Sequence, residues 1–145
     1  MDLSALAGQV ADELHRAAPQ RLAQIRIAPG IAGVGDPTLL RIVIENLLGN
    51  AWKYTAKAAQ AEIAFEQVEQ GGRKVYVVRD NGAGFDMRFA DRLFGVFHRL
   101  HGSSEFPGHG VGLASVRRII RRHGGQIWAE AEVGQGARFY FTLGA

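Results

Sequence analysis

Three groups of residues have types and spacings that suit chemistry. In the first, Gly108-His109-Gly110-Val111-Gly112-Leu113 sets glycines two residues apart where a helix opens. Backbone N–H groups at a helix N-terminus, bare of side chains, form an anion site, and phosphate is its usual occupant. The same pattern also serves as a flexible hinge. No parallel β-α-β unit surrounds it, so it is no dinucleotide fingerprint, and the chain lacks a G-x-x-x-x-G-K-[ST] phosphate loop. In the second group, Asn46, Asn50 and Lys53 follow at steps of four and three, which places all three on one helical face. Two amides and an ammonium among Leu and Ile need water, a partner or a ligand. An amide oxygen suits Mg²⁺ and a lysine supplies a point charge for phosphate. The solvated side of an amphipathic helix would look the same. The third group, Asp80-Asn81-Gly82-Ala83-Gly84-Phe85, ends an apolar strand. Its carboxylate can accept hydrogen bonds and its glycines let a flat ligand reach the backbone, although a plain Asx turn has this sequence too.

The elements that must position these groups are legible from period and punctuation. Residues 4–18 carry Leu6, Val10 and Leu14 at helical spacing, with Ser4 as the expected N-cap and Pro19 as the stop. Residues 21–28 alternate imperfectly through Leu22, Ile25 and Ile27 and read as a short strand. Asp36-Pro37, an acidic cap before a proline, starts a helix over 37–54 whose apolar residues recur at steps of three and four. The period then changes to two on either side of Gly71-Gly72, which predicts an antiparallel hairpin. Residues 91–97 read as one or two helical turns and 98–110 as a long loop, of a length common in lids and binding loops. A helix over 111–123 ends at Gly124-Gly125, and strands 126–132 and 137–143 close the chain. Tyr76, Trp128 and Tyr140 fall in strands as core or edge residues. The expected architecture is one α/β domain over 1–145, a two-layer sandwich of a mixed, largely antiparallel sheet against about three helices.

Composition narrows the classes. The chain has 145 residues, 47% hydrophobic and 21% charged, enough to bury a core and too little charge for disorder. No apolar run reaches the roughly 18–20 residues that span a bilayer, and the first residues lack the features of a secretory signal. The absence of cysteine excludes disulfides and thiolate chemistry and fits a reducing, cytoplasmic setting. A net charge of +3 without aromatic platforms or a motif argues against nucleic acid, and Arg117, Arg118, Arg121 and Arg122 read as a solvated helix face. Nineteen glycines are nearly twice the usual ~7%, and they concentrate in the turns named above.

Taken in order, these motifs resemble the catalytic, ATP-binding domain of bacterial sensor histidine kinases, in the superfamily that includes gyrase, mismatch-repair and heat-shock chaperone ATPases. The N box is similar to residues 45–55, from Glu45 to Thr55, and the first glycine box to residues 80–85. The F box resembles residues 93–99, the second glycine box 108–113, and a third Gly134-Gln135-Gly136. The segment from His123 to Glu130 is also typical of these kinases. The resemblance covers about residues 34–143.

The resemblance implies a role for each matching residue. Asn50 is the expected Mg²⁺ ligand, Lys53 a phosphate contact, and Tyr54 an aromatic beside adenine or ribose. Asp80 is expected to accept from the exocyclic amine of adenine, where guanine presents a carbonyl that a carboxylate repels. Gly82 and Gly84 would line the base pocket. Gly108, Gly110, Gly112 and Leu113 would shape the phosphate end of a mobile ATP lid over 98–110. Phe94 and Phe97 would anchor the lid, and Arg99 would be its cation near the terminal phosphate. Hydrolytic relatives carry a water-activating glutamate one turn before the Asn50 position. This chain has Asn46 there, and an amide is no general base, so kinase chemistry is favoured over hydrolysis. Glu45 should face elsewhere as a surface or ion-paired acid, since helix neighbours are rotated by about 100°.

The chain departs from the pattern at His109, where a small residue or threonine is usual, and that touches lid closure. His98, His101 and His109 would be a thin zinc set, and the lid reading explains them without metal. His15 lacks the acidic residue that follows an accepting histidine. The phosphoacceptor hairpin is expected upstream and is absent from these residues. The expected function is therefore to bind Mg·ATP and donate its γ-phosphate to a histidine on that domain of the parent protein, with a response regulator downstream. This chain alone would be a monomer without membrane contact. A degenerate ATP-binding regulatory module and a gyrase- or chaperone-type ATPase remain the alternatives.

Overall fold

The computed structural model describes residues 1–85, Met87 and residues 111–144. The expected turns at 91–97 and the loop at 98–110 lie outside the described residues, and with them Phe94, Phe97, His98, Arg99, His101, Gly108, His109 and Gly110. Eight elements are described: α1 (Leu3–Ala17), β1 (Ala23–Ile27), α2 (Pro37–Tyr54), β2 (Ala61–Gln70), β3 (Arg73–Asp80), α3 (Val111–Arg122), β4 (Ile127–Glu132) and β5 (Gly136–Phe141). The strands form one sheet in the order β1-β2-β3-β5-β4. Only the β1–β2 pair is parallel, so the sheet is mixed and largely antiparallel, as expected.

Local chemistry explains the elements and two departures. The N-cap of α1 is Asp2, whose carboxylate accepts from Ala5 N at 2.9 Å. Ser4, the expected cap, instead lies inside the first turn, where its Oγ donates to Ala28 O at 2.6 Å and accepts from Ile31 N at 2.9 Å. It ties the helix to the chain leaving β1. The strand β1 spans Ala23–Ile27, within the expected 21–28, and Leu22, counted in its imperfect alternation, lies outside it and is 93% exposed. Asp36 caps α2 through Leu39 N at 3.1 Å with Pro37 next, as its sequence requires. Gly71 and Gly72 both have positive φ, which a two-residue hairpin turn demands.

The core fills the space between one face of the sheet and the three helices. Leu40, Val43, Ile44, Leu47 and Leu48 of α2 meet Ile63 and Phe65 of β2, Tyr76 and Val78 of β3, Phe139 and Phe141 of β5, and Val116 and Ile120 of α3. The Tyr76 hydroxyl is not stranded there, because it donates to Ala32 O at 2.8 Å. On the opposite face, Val75, Val77 and Tyr140 form a second apolar cluster, with Trp128 stacked on Tyr140 at 5.5 Å.

The His123-Gly124-Gly125 segment has a physical account. Gly124 has a positive φ just past α3, and a Cβ on Gly125 would lie 1.9 Å from Thr142 O. His123 Nδ1 lies 2.8 Å from Ile119 O, while Nε2 accepts from Asp36 N at 3.0 Å. Through these two contacts the ring bolts the end of α3 to the start of α2.

Candidate functional site

The second and third chemical groups converge where the C-terminal end of α2 meets the loop after β3. Buried residues of α2 recur as Leu40, Val43, Ile44, Leu47, Leu48 and Ala51. Asn46, Asn50 and Lys53 run along the margin of that stripe and are half-buried. Asn46 Nδ2 donates back to Ile42 O at 2.8 Å, which spends an amide hydrogen inside the helix and leaves its oxygen as an acceptor. Asn50 and Lys53 have no side-chain hydrogen bond or ion pair to another described residue. Glu45 is exposed on a different side, with Oε1 3.5 Å from Arg41 Nε.

Asp80 owes its character to register. Tyr76 and Val78 point into the core, and a period of two sends Asp80 to the same face. It pairs with Ala137, where that inward row reaches the end of the strand. The carboxylate is half-buried, and burial pushes its pKa up from an ordinary 3.8 to about 6, against the opposing pull of the Gly82 and Ala137 amides. One oxygen accepts from Gly82 N at 2.8 Å, so the Asx turn expected from sequence is present. The Gly82 and Ala137 amides take part of the carboxylate's acceptor capacity and leave the rest. Burial, followed by the nearby Asp80 charge, raises the Tyr54 pKa, and this brings the last residue of α2 beside the same carboxylate.

The loop's glycines are required by close approach. Ala83 N donates to Tyr54 O at 3.0 Å, and a Cβ on Gly82 would stand 2.3 Å from that oxygen. Gly84 has φ +64°, and a Cβ there would meet Glu132 O at 2.1 Å. Gly134 N donates to Ala83 O at 2.7 Å, so the third glycine turn braces the first. Asn81 is turned away and serves the backbone instead, its Nδ2 donating to Gln60 O and its Oδ1 accepting from Glu62 N. Leu113 is buried on α3 in the common core, and Gly112 is the second residue of that helix.

Of the sequence expectations, Tyr54, Asp80, Gly82 and Gly84 are brought together here, while Asn46, Asn50 and Lys53 share one face of α2, the helix that ends at Tyr54. Arg99, Gly108 and Gly110 lie outside the described residues. A concavity of about 440 Å³ runs from Asp80 and Asn81 to Arg79, Glu130, Glu132 and Arg138, so it shares Asp80 with the site but lacks the three α2 residues. Of its two arginines, Arg79 is already paired with Glu66 at 2.6 Å. Among the described residues no cluster of His, Asp and Glu could hold a metal, and no helix is long and apolar enough to cross a membrane.

Sequence reasoning missed two residues at the end of α2. The Arg21 guanidinium donates to Trp52 O and to Thr55 Oγ1, and Thr55 is buried. The only cue was an arginine in a connection, which has no period to decode.

Comparison with known proteins places the chain in a family. Residues 35–145 match the family described as "Histidine kinase-, DNA gyrase B-, and HSP90-like ATPase". Cyanobacterial phytochrome A of Nostoc sp. is 44% identical over 107 residues, 73% of this chain and 14% of that protein. The structure of full-length ShkA in complex with AMPPNP is 30% identical with a TM-score of 0.77, covering 100% of this chain and 31% of that one. The nucleotide-free catalytic domain of histidine kinase ThkA superposes with a TM-score of 0.79 at 22% identity, over 99% of this chain and 94% of its own. This chain therefore spans a small part of its longer relatives, and ThkA shows the fold alone. The five-stranded mixed sheet under three helices is the α/β fold of histidine kinase catalytic domains. By its match over residues 35–145, the chain belongs to the family of histidine kinase-, DNA gyrase B- and HSP90-like ATPases.

Proposed function

We propose that this chain binds Mg·ATP at the junction of α2, the 80–85 loop and α3, and donates the γ-phosphate to a histidine on a phosphoacceptor domain of its parent protein. The observation that carries the reading is Asp80: a carboxylate on the core row of β3, driven to about 6 by burial, beside glycines that leave no room for side chains. A carboxylate has acceptor capacity beyond the Gly82 and Ala137 amides, and the exocyclic amine of adenine is a donor suited to it. Tyr54 would flank the base or ribose, with Gly82 and Gly84 exposing backbone to it. Asn50 offers a neutral oxygen suited to Mg²⁺, and Lys53 a charge for the phosphates. Both are half-buried and without a described partner, which fits those roles.

Bound Mg²⁺ would neutralise charge on the transferred group. The chain's own residues supply position and further charge: Lys53 from α2, Arg99 from the lid, and the backbone of Gly108, Gly110 and Gly112 at the phosphate end. Asn46 supports transfer over hydrolysis. Its amide is no base, and one of its hydrogens is held by Ile42 O. A response regulator downstream, a cytoplasmic location and a monomeric state for this chain alone belong to the same proposal.

Calorimetric titration with ATP, with and without Mg²⁺ and against GTP, tests it. Saturable, Mg²⁺-dependent binding that prefers ATP is the expected result, with no stable phosphohistidine forming on this chain by itself. No binding at millimolar ATP would put the degenerate regulatory module first, the reading that the sequence departure at His109 keeps open. Multiple-turnover phosphate release would favour the hydrolytic alternative.

A further inference from the structure

Arg21 lies outside the matched family segment, in the connection between α1 and β1. Its guanidinium donates to Trp52 O and, at 2.7 Å, to Thr55 Oγ1. The same group lies 4.2 Å from the centroid of the Trp52 ring. His15 meets that ring edge-on at 5.2 Å, and its Nε2 is 2.9 Å from Ala23 O. Thr55 Oγ1 in turn donates to Ala51 O at 2.7 Å. The last carbonyls of a helix lack intrahelical donors, and a cation there also answers the negative end of the helix dipole. Arg21 therefore caps α2 from a different part of the chain, held by a planar fork and a stacked ring that a lysine cannot reproduce.

The capped turn also carries the base loop. Tyr54 O, between the two groups that Arg21 holds, accepts from Ala83 N at 3.0 Å and seats Gly82 with no space for a Cβ. We propose that Arg21 is a positioning residue for base recognition: it fixes the last turn of α2, and through Tyr54 O the loop that presents Asp80. The inference rests on the nucleotide reading above for its functional consequence. Its mechanical part, coupling from Arg21 to the Ala83 amide, stands apart from any ligand.

The test uses Arg21→Met, which keeps an apolar stem over Trp52 and removes every donor, and Arg21→Lys, which keeps charge and one point of contact. Thr55→Val removes one acceptor at nearly constant shape and serves should Arg21→Met fail to fold. Arg41→Met, which breaks an exposed pair with Glu13 at 2.6 Å, controls for lost stability alone. Amide hydrogen exchange should show Ala83 released about tenfold faster in Arg21→Met, in excess of the change at Val78 or Phe141. That is the size expected when a cap is lost from a helix end. The ratio of ATP to GTP affinity should fall by a similar factor, less in Arg21→Lys and Thr55→Val, and not at all in Arg41→Met. Ala83 exchange that only follows global stability, or an unchanged ATP-to-GTP ratio in folded Arg21 variants, overturns the proposal. Should the unmodified chain bind neither nucleotide, the nucleotide reading falls, while the exchange result still decides the coupling.

Discussion

The two ends of α2 are built on opposite principles. At the first turn three polar groups answer one another: the Asp36 carboxylate meets Leu39 N, Asp36 N meets His123 Nε2, and His123 Nδ1 meets Ile119 O. Gly125 then lets the chain leaving α3 press on Thr142 O. At the last turns the backbone is equally well held, by Arg21 at Trp52 O and Ala83 at Tyr54 O. The side chains there are another matter. Asn50 and Lys53 have no described partner, and Asp80 keeps a charge that its surroundings resist. A closed end contributes stability, whereas an end that holds a carboxylate against the pull of burial gives some up. Substitutions at the first end should therefore move stability without affinity, and those at the second should move the two in opposite directions.

The largest expected effect is at the closed end. Gly125→Ala puts a Cβ 1.9 Å from a backbone oxygen, with no flexible side chain to give way. Thermal and denaturant unfolding should show a loss of about 3 kcal/mol or more, in the range of backbone clashes at special positions. Where the variant remains folded, its ATP dissociation constant should stay close to that of the unmodified chain. A tenfold weaker affinity with intact folding would erase the division between the two ends.

Asp80→Asn is the reciprocal case. A charge-assisted acceptor is lost, and an amide hydrogen can face the adenine amine instead, so ATP affinity should drop about a hundredfold. Stability should rise. Moving a carboxyl from 3.8 to about 6 holds back up to about 3 kcal/mol at neutral pH, reduced in practice by the solvent that reaches a half-buried group. The sign follows from proton uptake. Between pH 6 and pH 4 the folded chain holds a proton on Asp80 that the unfolded chain has released, so acidification through this window favours the folded state. The gap in melting temperature between Asp80→Asn and the unmodified chain should accordingly be widest at pH 7 and close between pH 6 and pH 4. A gap that widens on acidification would mean the carboxylate is stabilised where it stands.

The same contrast explains what could be read from the sequence. Helices and strands follow local rules, so Asp36-Pro37, the Gly71-Gly72 turn and the period of 37–54 predicted their elements closely. Candidate site residues could be named because their motifs are ordered and spaced, and the structure sets Tyr54, Asp80, Gly82 and Gly84 at one junction. What escaped was contact between distant segments. Ser4 looks like a cap until Asp2 is seen to take the role, and nothing local to Arg21 or His123 announces Trp52 O or Asp36 N. Asp80 was chosen for its turn and its family resemblance. Its raised pKa depends on register with Ala137, which a single strand does not reveal.

His123→Ala is the smallest perturbation of the comparison and the most discriminating. The ring is half-buried and makes two hydrogen bonds, to Ile119 O at 2.8 Å and from Asp36 N at 3.0 Å. Removing it leaves both backbone groups near the surface, where water can replace the imidazole. The cost should then be about 1–2 kcal/mol rather than that of a sealed polar orphan. It also frees the end of α3 from the start of α2, and α3 begins at the phosphate end of the proposed site. If each end of α2 is an independent unit, the ATP dissociation constant stays within about twofold, as expected for separated sites. If α3 acts as a rigid lever between them, affinity falls although no nucleotide contact has been touched. Comparing this affinity with that of Gly125→Ala, which perturbs the same end through a different contact, separates a loss of the lever from a general loosening.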